Sequence, residues 1–419
     1  MTTPTPQLET PVETPAAMVS RRFLAMFAGT LLVGLGGVAA FNWAIDPFRV
    51  YRHGLLTELD PHKLDVARIM KGAMIRSNDA EVVMLGSSRA NRSLDPDHPA
   101  WNGTRVLNAA LGGVRMGELA NGLRLAASQP ETRRVVLFVD FYVTSAPIVG
   151  HHDYNLSAFN PDLTGPERHA ITLTSRHAIG ASLAVRDRQR EGRRHNTWPI
   201  NGYRKMGQPT RKQDHRALFD LMLRDSLRLV WMYGGYVWDE RSMPLLRRAI
   251  KRHAREDLEI TLAILPVHAE QLATLHAARL WPAFERFKRE MASLADDTGL
   301  ELWDFARYHP VTTELAPTES PPEARRTPMT SWWESSHSTG ATGGLVIERL
   351  TGADNGFGLR LTRANVEADL EAQRERRNAW LAKNRWAVAN IRRLIESVPE
   401  RELPNPLRAA RRNQREADR

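Results

Sequence analysis

The longest uninterrupted apolar stretch comes first: "FLAMFAGTLLVGLGGVAAFNWAI", Phe23 to Ile45, carries no charge. As a helix it rises roughly 34 Å against a bilayer core of about 30 Å, which predicts a single membrane span. "SRRFL" at its start resembles a twin-arginine export signal, and "VAA" before Phe41 offers a small-residue cleavage site. The run is longer than the usual signal-peptide core, so an uncleaved anchor is expected. Arg21 and Arg22 precede it and Asp46 follows. The positive-inside bias then predicts a cytoplasmic tail over 1–22 and a main domain on the non-cytoplasmic side.

Beyond the anchor, short apolar runs alternate with amphipathic ones. "VVMLG" (82–86), "RVLNA" (105–109), "RVVLFVDFY" (134–142), "EITLAILPV" (259–267) and "GLELWDF" (299–305) read as buried parallel strands. Helical patterns begin at 116, 243 and 281, between strands. This order predicts an α/β fold, a doubly wound and mostly parallel five-stranded sheet, over 46–358. The regularity breaks over about 145–242, an expected insertion. Over 359–400 a helical extension is expected, a long helix from about 364 with Val366, Leu370, Leu381, Val388, Ile391 and Leu394 at partly helical spacing, docked on the domain or, as the alternative, binding a partner. Residues 401–419 read as a disordered basic tail.

Composition adds two constraints. With 42% hydrophobic and 25% charged residues the 419-residue chain is that of an ordinary globular protein, and zero cysteines exclude disulfides and thiolate chemistry. Charge is uneven: residues 186–216 carry ten Lys/Arg against three Asp/Glu, a net of +7 out of the chain's +10. Outside the cytoplasm such a patch, represented by Arg193, Arg194, Arg204 and Lys205, points to an acidic or acylated glycan or a lipid headgroup rather than nucleic acid, with a merely solvated loop as the alternative. "HHDY" (151–154) lacks the spacing of a metal site, and neither metal nor cofactor is expected.

The candidate chemistry lies in two blocks. Gly86-Ser87-Ser88 directly follows the first strand, at the strand end where open α/β sheets carry ligands. Near the end of the domain "SWWESSHSTGATGG" places Glu334 three residues before His337, close enough for a local hydrogen bond while the imidazole reaches a serine. His268, in "LPVHA" at a strand end, could line the same pocket or be a packed structural histidine. Trp332 and Trp333 could border a sugar cleft or pack in the core.

These blocks, with "NAALGG" (108–113) after the second strand, resemble the SGNH (GDSL-like) hydrolase superfamily. "NWAIDPF", "LGSSR", "LPVHA", "LWDFA", "ESSHSTGATGG" and "FGLRLTRANVEADL" are more closely similar to a group of membrane-anchored SGNH-like bacterial proteins. The resemblance implies Ser88 as nucleophile, His337 as base, Glu334 in the place of the usual aspartate, and an oxyanion hole from the N–H groups of Ser88 and Gly112 or Gly113. Arg89, Asn108, Asp140 and His268 are further pocket candidates. Asp140 stands where the superfamily has an asparagine, and an anion there must point away from the oxyanion or do another job. The resemblance implies an envelope serine esterase or O-acyltransferase acting on a polysaccharide ester. The alternative is a non-catalytic protein that holds glycan or envelope protein partners at the membrane.

Overall fold

The computed structural model of the chain describes residues 15–51, 66–77, 79–146, 151–191, 201–230, 232–319 and 321–417. Its strands are β1 (Val82–Leu85), β2 (Val106–Asn108), β3 (Arg134–Phe138), β4 (Glu259–Ile264), β5 (Glu301–Asp304) and β6 (Leu359–Arg360). The helices of the first half are α1 (Pro15–Ile45), α2 (Ala67–Ser77), α3 (Ser88–Ser93), α4 (Met116–Ala127), α5 (Gly165–Thr174), α6 (Arg176–Arg190) and α7 (His215–Arg228). Those of the second half are α8 (Ser242–His253), α9 (Ala269–Ala277), α10 (Trp281–Thr298), α11 (Gly340–Leu350), α12 (Val366–Lys383), α13 (Arg385–Ser397) and α14 (Asn405–Ala417). The chain forms two units, one of Met1–Pro61 with Gly165–Arg194, the other of His62–Thr164 with His195–Arg419.

In the first unit, α1 is long and apolar enough between Ser20 and Ile45 to cross a membrane, and its apolar window is not buried by protein. The same length and composition would also suit a signal sequence. Near the end of α1, Asn42 donates to Leu173 O at 2.7 Å and accepts from Ser182 Oγ at 2.7 Å, which ties α1 to α5 and α6. Phe48 stacks on His177, and the Tyr51 hydroxyl is 3.1 Å from Thr172 Oγ1. The expected insertion is therefore divided: its 165–194 portion belongs with the N-terminal helix, and 195–242 belongs with the sheet.

The second unit is an α/β body built on a mixed six-stranded sheet in the order β2-β1-β3-β4-β5-β6. All five expected strands form and run parallel, with registers such as Val83 opposite both Leu107 and Val135, and Leu262 opposite both Leu137 and Leu302. The sixth strand was not legible in the sequence. It pairs antiparallel to β5 through Arg360 and Leu359, and two residues are too few to show a period.

Alternate strand residues serve opposite faces, and both faces are buried. Val82, Met84, Val136, Phe138, Ala263 and Phe305 pack with Ala90, Leu94, Val346, Ile347 and Leu350 from around α3 and α11. Leu85 points the other way, toward Gly122 of α4. Helix α4 packs on α8, and α8 in turn on α10. Burial on two sides is why these strands read as continuous apolar runs.

The C-terminal segment departs from expectation. Residues 359–365 form β6 and a turn, and the single long helix is broken at Asn384 (φ −106°, ψ 53°) into α12 and α13. The break lets α12 lie on α10 while α13 turns onto α7 and α9, a path one straight helix cannot follow. Val366, Leu370 and Ile391 are buried, whereas Leu381, Val388 and Leu394 are half-buried. Where a disordered tail was expected, α14 forms, with Leu407 buried and Arg415 paired to Glu400 at 2.7 Å.

Candidate active site

Gly86 ends β1 where a side chain has no room: a Cβ there would lie 2.8 Å from Phe138 Cβ and 3.0 Å from Ala90 Cβ. Ser87 then caps α3, its Oγ accepting from Arg89 N at 3.1 Å. Ser87 is buried in this structural role, while Ser88, the first residue of α3, is half-exposed. Asn108 at the end of β2 braces the far end of the same helix, donating to the carbonyls of Ala90 and Leu94 at 2.9 Å each.

The second half of the site is a tight loop before α11. Trp333 N–H bonds to His337 O and Thr339 N–H to Ser331 O, both at 2.9 Å, which folds 334–337 back on itself. The Glu334 carboxylate thereby meets His337 Nδ1, and its second oxygen accepts from Ser336 N at 2.7 Å. Helix α11 rests on α3 so closely that a Cβ on Gly343 would sit 1.7 Å from Ser93 O. This seating delivers His337 Nε2 to 2.8 Å from Ser88 Oγ, across 249 positions of sequence.

Protonation follows from the surroundings. Burial pushes the Glu334 carboxyl up, but His337, the Ser336 N–H and Arg92 outweigh it and hold the group below its ordinary range, hence ionised. An ionised Glu334 accepts a hydrogen bond from Nδ1–H, which leaves the Nε2 lone pair facing the Ser88 hydroxyl. Burial and then the Arg92 charge lower the His337 pKa against the opposing pull of Glu334, so the imidazole is neutral at pH 7. Arg92 Nη1 lies 3.4 Å from His337 Nδ1; both atoms carry hydrogen, so this is a charge contact and not a hydrogen bond.

Ser88 and His337 open onto a cavity of about 330 Å³ that Gly112 and Gly113 also line. Arg68 donates to Gly112 O at 3.2 Å and forms a buried ion pair with Glu118. In a trans peptide the C=O and the next N–H point opposite ways, so this contact turns Gly113 N–H away from Arg68. Gly113 adopts φ 60°, a conformation that favours glycine, with His151 Nε2 3.2 Å from its carbonyl. Burial lowers the His151 pKa, and burial holds the cavity-lining Tyr142 phenol well above its ordinary value, so both are neutral.

The remaining candidates have different stations. Arg89 lines the cavity, but its charge is spent on Asp140: Nη1 is 2.8 Å from Oδ1, while Nε donates to Ser336 Oγ at 3.1 Å. Asp140 is thus no oxyanion neighbour; it is the buried counter-ion of Arg89. Asn108 and His268 do not line the cavity. His268 caps α9, with Nδ1 accepting from Glu270 N and Nε2 2.8 Å from Glu314 O, and packs against Phe219 and Trp332. Trp332 and Trp333 are both buried, Trp332 donating to Val311 O, and neither borders the cavity.

Of the basic patch, Arg204 lines the cavity, Lys205 is exposed outside it, and Arg193 and Arg194 lie outside the described residues. Among the described residues no cluster of histidines and carboxylates is arranged to hold a metal ion. The sequence reading missed Arg92, although on a helix it shares a face with Ser88 four positions earlier. Arg68, Tyr142 and Ser336 carry no such signal. No protein-family model, curated protein or solved structure matches this chain.

Proposed function

We propose that the protein is a serine esterase or O-acyltransferase with an SGNH-like, doubly wound body, held at the bacterial inner membrane by α1 and facing the cell envelope. The observation that carries this reading is the chain of contacts from Ser88 Oγ through His337 to Glu334. In the acylation step Ser88 Oγ attacks an ester carbonyl as its proton passes to His337 Nε2. The ester C–O bond then breaks, the leaving alcohol takes that proton, and an acyl-serine remains. Water or a sugar hydroxyl, deprotonated by the same imidazole, attacks the acyl-serine and restores Ser88. Backbone N–H groups at Ser88 and Gly113 are the donors for the oxyanion of each tetrahedral intermediate. Met222 and Met232 give the cavity an apolar side for the acyl group.

The reading is tested by treating the full-length protein in detergent with a fluorophosphonate and mapping the adduct. Labelling at Ser88, absent from Ser88→Ala and His337→Ala, supports it. A folded protein that resists probes of several sizes overturns it in favour of a non-catalytic binding role.

A further inference from the structure

Four arginines line the cavity, and they divide into two pairs. Arg68 and Arg89 are neutralised by Glu118 and Asp140. Arg92 and Arg204 form no ion pair with any described residue, although Arg92 Nε is buried without a hydrogen-bond partner. Glu334 attracts Arg92 from a distance, but both its oxygens are occupied by His337 and Ser336. Burial lowers the Arg92 pKa, and Arg204 lowers it further by like-charge repulsion. Two guanidinium groups lining one cavity without an ion-pair partner among the described residues are costly, and an anion placed between them relieves both desolvation and repulsion.

We propose that Arg92 and Arg204 form a subsite for an oxyanion carried by the substrate itself, on the same sugar unit as the ester presented to Ser88. A guanidinium offers paired donors that match a carboxylate or a phosphate, so the substrate class is an acylated acidic sugar. The cavity volume of about 330 Å³ is at the small end of ligand pockets, which favours an anion and an ester carried on one ring. This inference rests on Ser88 as nucleophile for the position of the ester, but the subsite itself is a matter of binding.

The test separates the two. Ser88→Ala protein, full-length in detergent, is titrated calorimetrically with three ligands: a mono-O-acetylated methyl glucuronoside, its neutral methyl ester, and an O-acetylated glucose 6-phosphate. The free acid or the phosphate should bind about tenfold or more tightly than the neutral ester, the size of one charge-assisted hydrogen bond, and the stronger of the two names the anion. Arg204→Gln in the same background, at a side chain with no hydrogen bond to His337 or Glu334, should bring the ratio close to one. Arg92→Gln should do the same, while Lys205→Gln should not. Equal binding of charged and neutral ligands, no binding of any, or an anion preference that survives Arg204→Gln overturns the proposal. Anion-dependent binding by a wild-type protein that resists fluorophosphonate leaves the subsite standing and removes only the esterase reading.

Discussion

Arg89, the neighbour of Ser88 in α3, and Asp140 form a buried ion pair, 2.8 Å from Nη1 to Oδ1. Through its Nε atom Arg89 also holds Ser336, the neighbour of His337. The pair therefore links the end of β3 to both halves of the site. Removing one partner strands the other charge in the interior, and Asp140→Ala or Arg89→Ala should each cost about 3–5 kcal/mol in urea unfolding. The double change Arg89→Met with Asp140→Leu should recover much of the stability but not the activity, because Ser336 loses its anchor. Single variants within 1 kcal/mol of wild type would show that the pair does not bear on folding.

Among the site residues, Ser88, His337 and Glu334 should act as one unit. Ser88→Ala and His337→Ala should each lower ester turnover on the order of 10⁶-fold, and the double variant should be little worse than either alone. Ser87→Ala should retain turnover, since the Ser87 hydroxyl caps α3 and it is Ser88 that meets His337. Glu334→Asp distinguishes two accounts of the longer acid. Activity near wild type would mean that a small backbone shift restores the contact to Nδ1, and a large loss would mean that the 334–337 loop is built for glutamate.

The pH profile follows from the lowered pKa of His337. Turnover needs the neutral imidazole, so kcat/KM should be flat near neutrality and fall with acid only below the ordinary histidine value of about 6.5. Arg92 contributes to that lowering, so Arg92→Gln should move the acid limb to higher pH. Glu334 opposes it, so Glu334→Gln should move the limb to lower pH while reducing the plateau. A limb that stays in place in both variants would mean that the titration belongs to another group.

Gly343 sets the seating of α11 on α3. Gly343→Ala drives a methyl group into Ser93 O, a backbone atom that cannot step aside, and should destabilise the protein by about 3 kcal/mol or more. The shift should separate His337 from Ser88 and lower turnover as well. Gly117, in α4, has nothing within 4 Å of its Cβ direction, and Gly117→Ala should instead stabilise by about 0.5–1 kcal/mol. Equal melting temperatures for the two variants would contradict the close approach of α3 and α11.

The sequence by itself determined the five parallel strands, three of the helices that flank them, and the apolar α1, because each is written in a local period of hydrophobic burial. It also offered Ser87 and Ser88, Glu334 and His337, since serines at a strand end and an acid three residues before a histidine are local patterns, while the choice of Ser88 came from the SGNH resemblance. Tertiary structure alone decided what these residues meet. Asn108 and His268, which read as pocket residues, instead satisfy buried carbonyls and cap a helix, because a polar side chain near a strand end bonds whatever the packing brings within about 3 Å. Asp140 became a counter-ion because Arg89, 51 positions earlier, lies on the neighbouring strand's helix. The break at Asn384, the two-residue β6 and the helix α14 follow from the surfaces on which those segments rest. The 2.8 Å approach of Ser88 to His337 depends on the strand order and on the seating of α11 against α3, and neither of these is recorded in any stretch of neighbouring residues.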